Sequence, residues 1–320
     1  MTANTLPSAQ VGNTGLQVTR LGMGTAVIGN LYATLSDADA HATVQSCYDG
    51  GVRFFDTAPL YGSGEAERRL GAALRGIPRD DVIIQTKVGR IIRPDRSIYF
   101  DYSRDGVMKS IEDSLERLGM DRVDILLVHD PDVDDPEEDY RMALEEAFPT
   151  LVDLRAQGVI RAVGAGMNQW EVEWEFARQV DVDCFLLAGR YTLLEQTSLD
   201  FLDWCTLNDV AIVLGGVYNS GILATGPVPG AKYQYEDAPA DIMAKTERLQ
   251  TVTQKHGVPL HVAAMQFARA HPAIASVVIG SASRAEAEEN RALWDFETPA
   301  AMWQELHDTG LIDPRAPLPR

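Results

Sequence analysis

Short apolar runs alternate with longer stretches of helical period along the chain, and this alternation restricts the possible folds more than any other feature. Eight runs have the length and the β-branched or aromatic content of strands, and they cover 20–26, 52–58, 82–88, 123–130, 159–167, 184–190, 210–217 and 276–280. Most are continuously apolar, as is typical of parallel strands covered by helices. Eight such strand–helix units without a break in composition predict an α/β fold, a (β/α)8 TIM barrel in a single domain over 1–320.

Two of the helical segments carry signals at their ends. In residues 37–51, Ser36 is placed to cap the helix and a pair of glycines is placed to end it. In residues 102–119, apolar residues recur at helical spacing and Gly119 is placed to close the helix. Both segments therefore predict helices that pack one face on the barrel.

Further elements are expected at the two ends of the chain. Residues 11–18 predict an N-terminal β-hairpin across the bottom of the barrel, and Met302, Trp303 and Leu306 make an amphipathic extra helix near the C-terminus. The longest stretches without an assignment are 89–102 and 221–240. Long loops of this kind are often binding loops.

The charge balance limits the kinds of partner. The formal net charge is −19, from 47 acidic and 28 basic residues. Binding to nucleic acid phosphates or to anionic lipid needs a basic surface, so neither partner is expected. The first ten residues lack the features of a signal peptide, and the apolar runs are too short to span a membrane.

The cysteines and the acidic residues predict neither disulfides nor a metal site. Cys47, Cys184 and Cys205 lie far apart in apolar or helical surroundings, which indicates core thiols in a reducing cytoplasm. The acidic stretch 129–139 begins like a calcium loop. However, Asp135 occupies the position that requires glycine, so a solvated acidic loop is the better interpretation.

Polar groups that can exchange protons follow three neighbouring strands. Asp56 ends the second strand, Lys87 lies at the end of the third, His129 ends the fourth, and Tyr61 follows Asp56 by five residues. The carboxyl ends of barrel strands form the functional face, so the four side chains are expected to converge. An ammonium beside a phenol stabilises the phenolate, an aspartate holds that ammonium, and a neutral histidine can donate a hydrogen bond to a substrate oxygen.

Each of these residues also has a structural interpretation when taken alone. Asp56 is suited to a turn before Pro59, Tyr61 could be a loop aromatic, Lys87 could extend its ammonium to solvent, and a single histidine is more often a core residue than a catalyst. Four such coincidences at one place are improbable. The combination therefore favours a site that moves a proton on or off an alcohol.

These residues resemble the catalytic tetrad of the aldo-keto reductases in order and spacing. The segments FFDTAPLYG (54–62) and GEAERRLG (64–71) are similar to an early signature of that family. The resemblance implies that Tyr61 is the general acid/base, that Lys87 tunes it, that Asp56 positions Lys87, and that His129 orients the substrate. It also implies a nicotinamide cofactor.

The nucleotide site is expected at glycine-rich strand ends. The segment GMGTAV (22–27) lacks the third glycine of a dinucleotide fingerprint, whereas the ends of strands seven and eight could cradle phosphates. The resemblance implies the following cofactor-binding residues: Thr25, Asp56, Asn168, Gly216, Val217, Tyr218, Gly221, Gly280, Ser281, Ser283, Glu286, Glu289 and Asn290.

The choice between NAD and NADP depends on the segment IGSASRAEAEEN (279–290), which resembles the family's adenosine-binding segment. Glu286 stands where NADP-dependent members typically carry arginine. A carboxylate repels a 2′-phosphate and accepts hydrogen bonds from a free 2′-hydroxyl, so NAD is the expected cofactor. Arg284 keeps NADP open, because its side chain could turn toward a phosphate.

The substrate is expected to be a small cyclic hemiacetal. Segments such as GNLY (29–32) and MNQWE (167–171) are similar to a branch of the family that contains aldose 1-dehydrogenases, which act on sugars such as L-fucose, L-galactose or D-arabinose, and pyridoxal 4-dehydrogenases. The substrate-binding residues would be Tyr32, Tyr61, Phe100 and His129. Reduction of an aldehyde, a ketone or an anionic sugar, and a nicotinamide-binding regulatory subunit, remain alternatives. The oligomeric state is open.

Overall fold

Eight parallel strands close into a barrel in the computed structural model, which describes residues 6–31 and 33–319. The barrel strands are β1 (Leu21–Gly24), β2 (Phe54–Asp56), β3 (Ile83–Val88), β4 (Ile125–His129), β5 (Ala162–Met167), β6 (Cys184–Ala188), β7 (Ala211–Gly215) and β8 (Ile274–Ile279). Neighbours in sequence are neighbours in the barrel, and β8 pairs with β1. The predicted TIM barrel is thus confirmed.

Helices surround the barrel. They are α1 (Asp37–Asp49), α2 (Glu65–Ala73), α3 (Arg104–Leu118), α4 (Pro136–Met142), α5 (Phe148–Ala156), α6 (Trp170–Ala177), α7 (Leu199–Leu207), α8 (Ile222–Thr225), α9 (Ala240–Lys255), α10 (Leu260–Ala268), α11 (Arg284–Trp294) and α12 (Ala300–Asp308). A π-helical turn, Ala143–Ala147, joins α4 to α5. None of the helices within the described ranges has both the length and the apolarity needed to cross a bilayer.

Alternation along each strand divides the core into two parts. In β4, Ile125 and Leu127 belong to a cluster inside the barrel, whereas Leu126 and Val128 belong to the larger cluster between the strands and the helices. Successive side chains of a strand point to opposite faces, so His129 continues the inward series. The same alternation places polar side chains at inward positions at the ends of the neighbouring strands.

An antiparallel hairpin closes the bottom of the barrel, as predicted. Its strands are Ser8–Val11 and Leu16–Thr19. Val11, Leu16 and Val18 are buried against the interior cluster that includes Phe54 and Ile125. This plug leaves the carboxyl ends of the strands as the end of the barrel where side chains can meet a ligand.

The predicted helix ends are confirmed at α1 and α3. The Ser36 hydroxyl accepts a hydrogen bond from the Asp39 N–H at 3.1 Å, as predicted. The Ser103 hydroxyl, which was not predicted as a cap, accepts one from the Gly106 N–H at the same distance. Gly119 ends α3 with a φ of 62°, in the left-handed region that glycine tolerates best. The extra helix α12 buries Met302, Trp303 and Leu306, as its amphipathic pattern predicts.

The two unassigned stretches contain regular structure. Residues 89–102 include a hairpin with strands Arg90–Ile92 and Ile98–Phe100. Residues 221–240 include α8 and a two-residue hairpin with strands Lys232–Tyr233 and Glu236–Asp237. These strands are too short for a periodic pattern to reveal them in the sequence.

Candidate active site

Three polar side chains point inward at the carboxyl ends of neighbouring barrel strands. Asp56 follows the inward Phe54 on β2, Lys87 follows Gln85 by two positions on β3, and His129 ends the inward series of β4. All three residues are at most 5% exposed. Because alternate residues of a strand face the same side, polar residues at the inward positions of neighbouring strands meet at this end of the barrel.

Lys87 holds the centre of this group. Its Nζ donates hydrogen bonds to Asp56 Oδ1 at 2.8 Å, to the Thr57 carbonyl at 2.9 Å and to the Tyr61 hydroxyl at 3.2 Å. Three acceptors replace the water that the buried ammonium has lost. The geometry leaves the ammonium in direct contact with the phenol oxygen, where it stabilises negative charge.

Two residues that the sequence argument missed support Lys87. Gln85 Nε2 donates to Asp56 Oδ1 at 2.8 Å, so the carboxylate is held from a second side. On β5, a Cβ at Gly166 would lie 3.2 Å from Lys87 Cε, so the absence of a side chain leaves room for the lysine stem. Gln85 is two positions before Lys87, and strand alternation alone indicates that both face inward.

Tyr61 is carried by the turn after β2. Its N–H donates to the Ala58 carbonyl at 3.1 Å, and its carbonyl accepts from the Ala66 N–H, which joins the turn to α2. Gly62 follows with a φ of 65°, and a Cβ there would lie 1.9 Å from the Gly29 carbonyl oxygen. The turn thus packs directly on the chain after β1, which fixes the position of the phenol.

His129 faces Tyr61 edge-on, with ring centroids 6.3 Å apart. Burial lowers the pKa of His129 well below its ordinary value, and the positive charges of Arg90 and Lys87 lower it further. The imidazole is therefore neutral at physiological pH, with one ring nitrogen able to donate and the other able to accept.

A cavity of about 430 Å³ opens beside these groups. Eight of the predicted site residues line it: Asp56, Tyr61, Asn168, Gly216, Val217, Tyr218, Gly221 and Gly280. Its lining also includes Arg190, Gln234 and Tyr235, which sequence reasoning missed. The volume is typical of small-molecule sites.

The short hairpin between α8 and α9 brings Tyr235 to the cavity. The Tyr235 N–H donates to Ser220 Oγ at 2.9 Å, and its hydroxyl lies 3.4 Å from Asn168 Nδ2. Asn168 Nδ2 also donates to the Ala188 carbonyl at 3.1 Å. Loop residues 219, 220, 234 and 235 all have positive φ, a local conformation without a clear sequence signal.

The remaining predicted cofactor residues lie between β8 and α11, on α11, or directly after β1. Ser283 caps α11 by accepting from the Glu286 N–H at 3.2 Å, and the Glu286 carboxylate accepts from the Ala282 N–H at 2.8 Å. Asn290 Nδ2 donates to Ser281 Oγ at 3.0 Å. Glu289 is exposed one turn further along the helix.

Gly280 lines the cavity, and Thr25 lies between two of its lining residues, Gly24 and Ala26. The Thr25 hydroxyl is buried and has no hydrogen-bond partner in the part of the chain that is described. A Cβ at Gly280 would lie 2.7 Å from a methyl group of Val27. The Thr25 hydroxyl therefore has hydrogen-bonding capacity to spare, and only glycine fits at position 280 against Val27.

Two predicted substrate residues stand apart from this lining. Phe100 lies on the hairpin after β3, half-buried, with the Arg90 guanidinium 5.0 Å from its ring centroid. Tyr32 lies outside the described residues. Arg90 and its partner Asp130, which were not predicted as site residues, join Phe100 to His129.

Comparisons with known proteins identify the family of this chain. A model of the aldo/keto reductase family matches residues 20–309. A pyridoxal 4-dehydrogenase from Microbacterium luteolum is 40% identical over 332 aligned positions, covering 94% of this chain and 97% of that protein. A D-threo-aldose 1-dehydrogenase from a Pseudomonas species is 38% identical over 319 positions, covering 93% of this chain and 96% of that protein.

A solved structure matches the fold over the same extent. An aldo-keto reductase from Bacillus halodurans in its holo form superposes with a TM-score of 0.79 at 24% identity. The match covers 96% of this chain and 97% of the other. Together with the site geometry and the relatives, the family model shows that this chain belongs to the aldo/keto reductase family and is an oxidoreductase that acts on CH–OH groups.

Proposed function

We propose that the protein is an NAD-dependent dehydrogenase that oxidises the anomeric carbon of a cyclic aldose, such as L-fucose, L-galactose or D-arabinose, to the lactone. The observation that carries this proposal is the contact of the buried Lys87 ammonium with both Asp56 and the Tyr61 hydroxyl, beside a cavity. Such a group can take the proton of a hemiacetal hydroxyl near neutral pH.

The side chains divide the proton chemistry between them. Tyr61 accepts the hydroxyl proton of the substrate, and Lys87 stabilises the phenolate that is ready to accept it. Asp56 keeps Lys87 oriented and compensates its charge. His129, neutral because of its lowered pKa, donates a hydrogen bond to the substrate oxygen and so fixes which carbon is presented.

A nicotinamide dinucleotide fits the residues beside the tetrad. The cavity is lined by Gly215 and Gly216 at the end of β7 and by Gly280 after β8, where a backbone without side chains can approach a bound group closely. Gly216, Val217, Gly221 and Gly280 would hold the cofactor there, and Asn168 would contact its carboxamide. When bound, the cofactor supplies the acceptor for the hydride that leaves the anomeric carbon.

The charges around the adenosine segment favour NAD over NADP. The Glu286 carboxylate is held at the start of α11 by the Ala282 N–H, where its negative charge opposes a 2′-phosphate. Arg284, the basic residue that could offset it, is paired with Glu288 at 2.7 Å. The arginine therefore already has an anionic partner on its own helix.

The second candidate is oxidation of the pyridoxal hemiacetal to 4-pyridoxolactone. The observation that favours it is the similarity to a pyridoxal 4-dehydrogenase over nearly the whole chain. Pyridoxal also presents a cyclic hemiacetal, so the same tyrosine could take its proton. The half-buried ring of Phe100 could stack on a pyridine as well as on a sugar face.

One assay tests the proposal. The purified protein is given NAD⁺ and either L-fucose, L-galactose, D-arabinose or pyridoxal, and NADH is followed by its absorbance. We expect NADH from at least one aldose, and a decrease of about 100-fold or more in kcat for Tyr61→Phe, because the general base is lost. Tyr48→Phe, on the outer helix α1, is the matched control and should keep full turnover.

The outcomes separate the candidates. NADH from pyridoxal alone would favour the second candidate, and full turnover by Tyr61→Phe would overturn the tyrosine mechanism. Cofactor binding without turnover of any substrate would indicate a regulatory subunit instead. The same assay with NADP⁺ tests the cofactor, since a higher kcat/KM with NADP⁺ would contradict the argument from Glu286.

A cytoplasmic location is part of the same proposal. Cys47, Cys184 and Cys205 are all free and buried, as is expected of a protein that folds in a reducing compartment. The proposal also keeps the chain as a single domain that acts on a small molecule.

A further inference from the structure

A second carboxylate stands immediately beside the catalytic histidine. Asp130 Oδ2 lies 3.5 Å from His129 Nε2 and 2.5 Å from Arg90 Nη2. The Asp130 side chain is 16% exposed, so it is neither sealed in the core nor on the open surface. The proton chemistry described above does not use this carboxylate.

The backbone around Asp130 is held in an unusual conformation. Asp130 has a φ of 44°, in the left-handed region that non-glycine residues rarely adopt. Its N–H donates to the Gly166 carbonyl at 3.2 Å, and the hydroxyl of the buried Tyr102 donates to the carbonyls of His129 and Asp130 at 2.6 and 3.1 Å. Such a conformation persists only where the surroundings impose it, often at functional sites.

Two nitrogen atoms near Asp130 have hydrogen-bonding capacity that no described residue uses. Arg90 Nε and His129 Nδ1 are buried and lack hydrogen-bond partners among residues 6–31 and 33–319. The Arg90 guanidinium also lies over the Phe100 ring, which is half-buried. An aromatic face next to a fixed carboxylate, a guanidinium and an imidazole suits a ligand with both a C–H face and several hydroxyl groups.

We propose that Asp130, oriented by Arg90, is a specificity-determining residue that accepts a hydrogen bond from the hydroxyl on the carbon next to the reacting carbon. This inference rests on the proposed function. It restricts the substrate class to cyclic aldoses that keep a hydroxyl at the second carbon. A sugar that lacks that hydroxyl would leave the carboxylate without its partner.

The spacing identifies which hydroxyl is recognised. If His129 Nε2 binds the reacting oxygen, a group 3.5 Å away faces an oxygen on the same carbon or on its neighbour. The other oxygen of the anomeric carbon is the ring oxygen, which has no proton to donate. An ionised carboxylate only accepts hydrogen bonds, so its partner must be the hydroxyl of the second carbon.

Two sugars that differ only in that hydroxyl provide the test. D-Arabinose and 2-deoxy-D-ribose are identical except at the second carbon, and kcat/KM is measured for each with NAD⁺. We expect the wild type to prefer D-arabinose by roughly 10- to 100-fold, the effect of one hydrogen bond to a charged group. Asp130→Asn should lose most of that preference, mainly through a lower kcat/KM for D-arabinose.

The variants are chosen to keep the fold. Asparagine matches aspartate in shape and tolerates a positive φ, so Asp130→Asn should fold, and circular dichroism checks this. Asp134→Asn, exposed on the same loop, is the matched control and should keep the wild-type ratio. Its kcat/KM should also match the wild type for each sugar.

The outcomes are distinct from those of the proposed function. A wild type without turnover of any aldose would remove the proposed function itself. A wild type that turns over both sugars with equal kcat/KM would overturn the role of Asp130 without any variant. An unchanged preference in Asp130→Asn would overturn it as well.

Discussion

At the scale of single residues, burial acts in opposite directions on two neighbours. It lowers the pKa of His129 well below its usual value and raises the pKa of Asp130 to about 6. Burial disfavours the charged form of each group, and Arg90 partly restores the charge of Asp130. The result is a neutral donor next to an acceptor that is ionised near and above neutral pH.

This pair predicts a pH-dependent choice between sugars. As the pH falls through about 6, Asp130 takes up a proton and ceases to be a charged acceptor. The preference for D-arabinose over 2-deoxy-D-ribose should therefore be greatest near pH 8 and decline toward pH 5. The ionisable groups around it are His129, Lys87, Arg90, Asp132, Tyr102 and Glu173. His129 does not contribute to the decline, because its pKa lies well below this range.

The measurement is the ratio of the two kcat/KM values from pH 5 to pH 9. In Asp130→Asn the ratio should not vary with pH. A wild-type ratio that is constant across this range would contradict the assignment, whereas a parallel change in both kcat/KM values would report on a group that acts on both sugars alike.

The four residues that the sequence predicted to exchange protons lie on barrel strands or in the turn directly after one. Asp56, Lys87 and His129 could be recognised because strand ends converge in any barrel of this kind. The link between Arg90 and Asp130 could not, because it joins a hairpin to a strained loop and depends on the path of both. Tyr235 was missed for the same reason. The roles assigned to the site residues stay predictions.

At the scale of elements, the turn between β2 and α2 is the part most sensitive to small changes. It positions Tyr61, and its Gly62 packs on the Gly29 carbonyl. Its neighbouring strands were predictable from their apolar runs, and α1 and α3 from their caps. The hairpin in residues 89–102 was not, because its strands have only three residues each.

Gly62→Ala should impair both folding and catalysis. A left-handed φ costs a non-glycine residue about 1–2 kcal/mol, and the added Cβ would also meet the Gly29 oxygen. The turn must then move, and Tyr61 moves with it. We expect a lower Tm, measured by circular dichroism, and a kcat/KM reduced by roughly 100-fold, the scale of a misplaced catalytic group.

Gly15→Ala separates the two causes. Gly15 has a φ of 72° in the bottom hairpin, and a Cβ there meets no atom within 4 Å. It shares the backbone strain but not the clash, so it should lower Tm slightly and leave kcat/KM unchanged. Equal effects of the two substitutions on activity would show that the contact with Gly29 does not position Tyr61.

At the scale of the whole molecule, a buried carboxyl group makes the free energy of unfolding depend on pH. Glu173 on α6 is fully buried, and no cationic side chain within the described ranges forms an ion pair with its carboxyl group. Burial raises the pKa of Glu173 well above its usual value, and the negative charge of Asp130 adds to the shift. The folded protein therefore holds this carboxyl in its protonated form.

The sign of the pH effect follows from this shift. The unfolded chain releases the Glu173 proton above a pH of about 4.3, whereas the folded protein retains it. The contribution of Glu173 to the free energy of unfolding should thus be most favourable at low pH and decline by about 1.4 kcal/mol for each pH unit up to the raised pKa. Glu173→Gln cannot ionise, so it should lack this contribution to the decline.

Thermal unfolding from pH 5 to pH 9 measures the effect. The Tm of Glu173→Gln relative to the wild type should rise as the pH rises. Glu171→Gln, exposed on the same helix, should follow the wild type. Parallel curves for Glu173→Gln and the wild type would mean that this carboxyl ionises at an ordinary pH in the folded protein.

The hairpin Arg90–Ile92 and Ile98–Phe100 has an evolutionary consequence. It places the Arg90 guanidinium and the Phe100 ring beside His129, yet none of the four residues predicted to exchange protons lies on it. Related proteins could therefore differ in this hairpin, and so in the substrate that they bind, while they keep the same reaction. Transferring the hairpin from one relative to another would be a simple way to change the substrate specificity of such an enzyme.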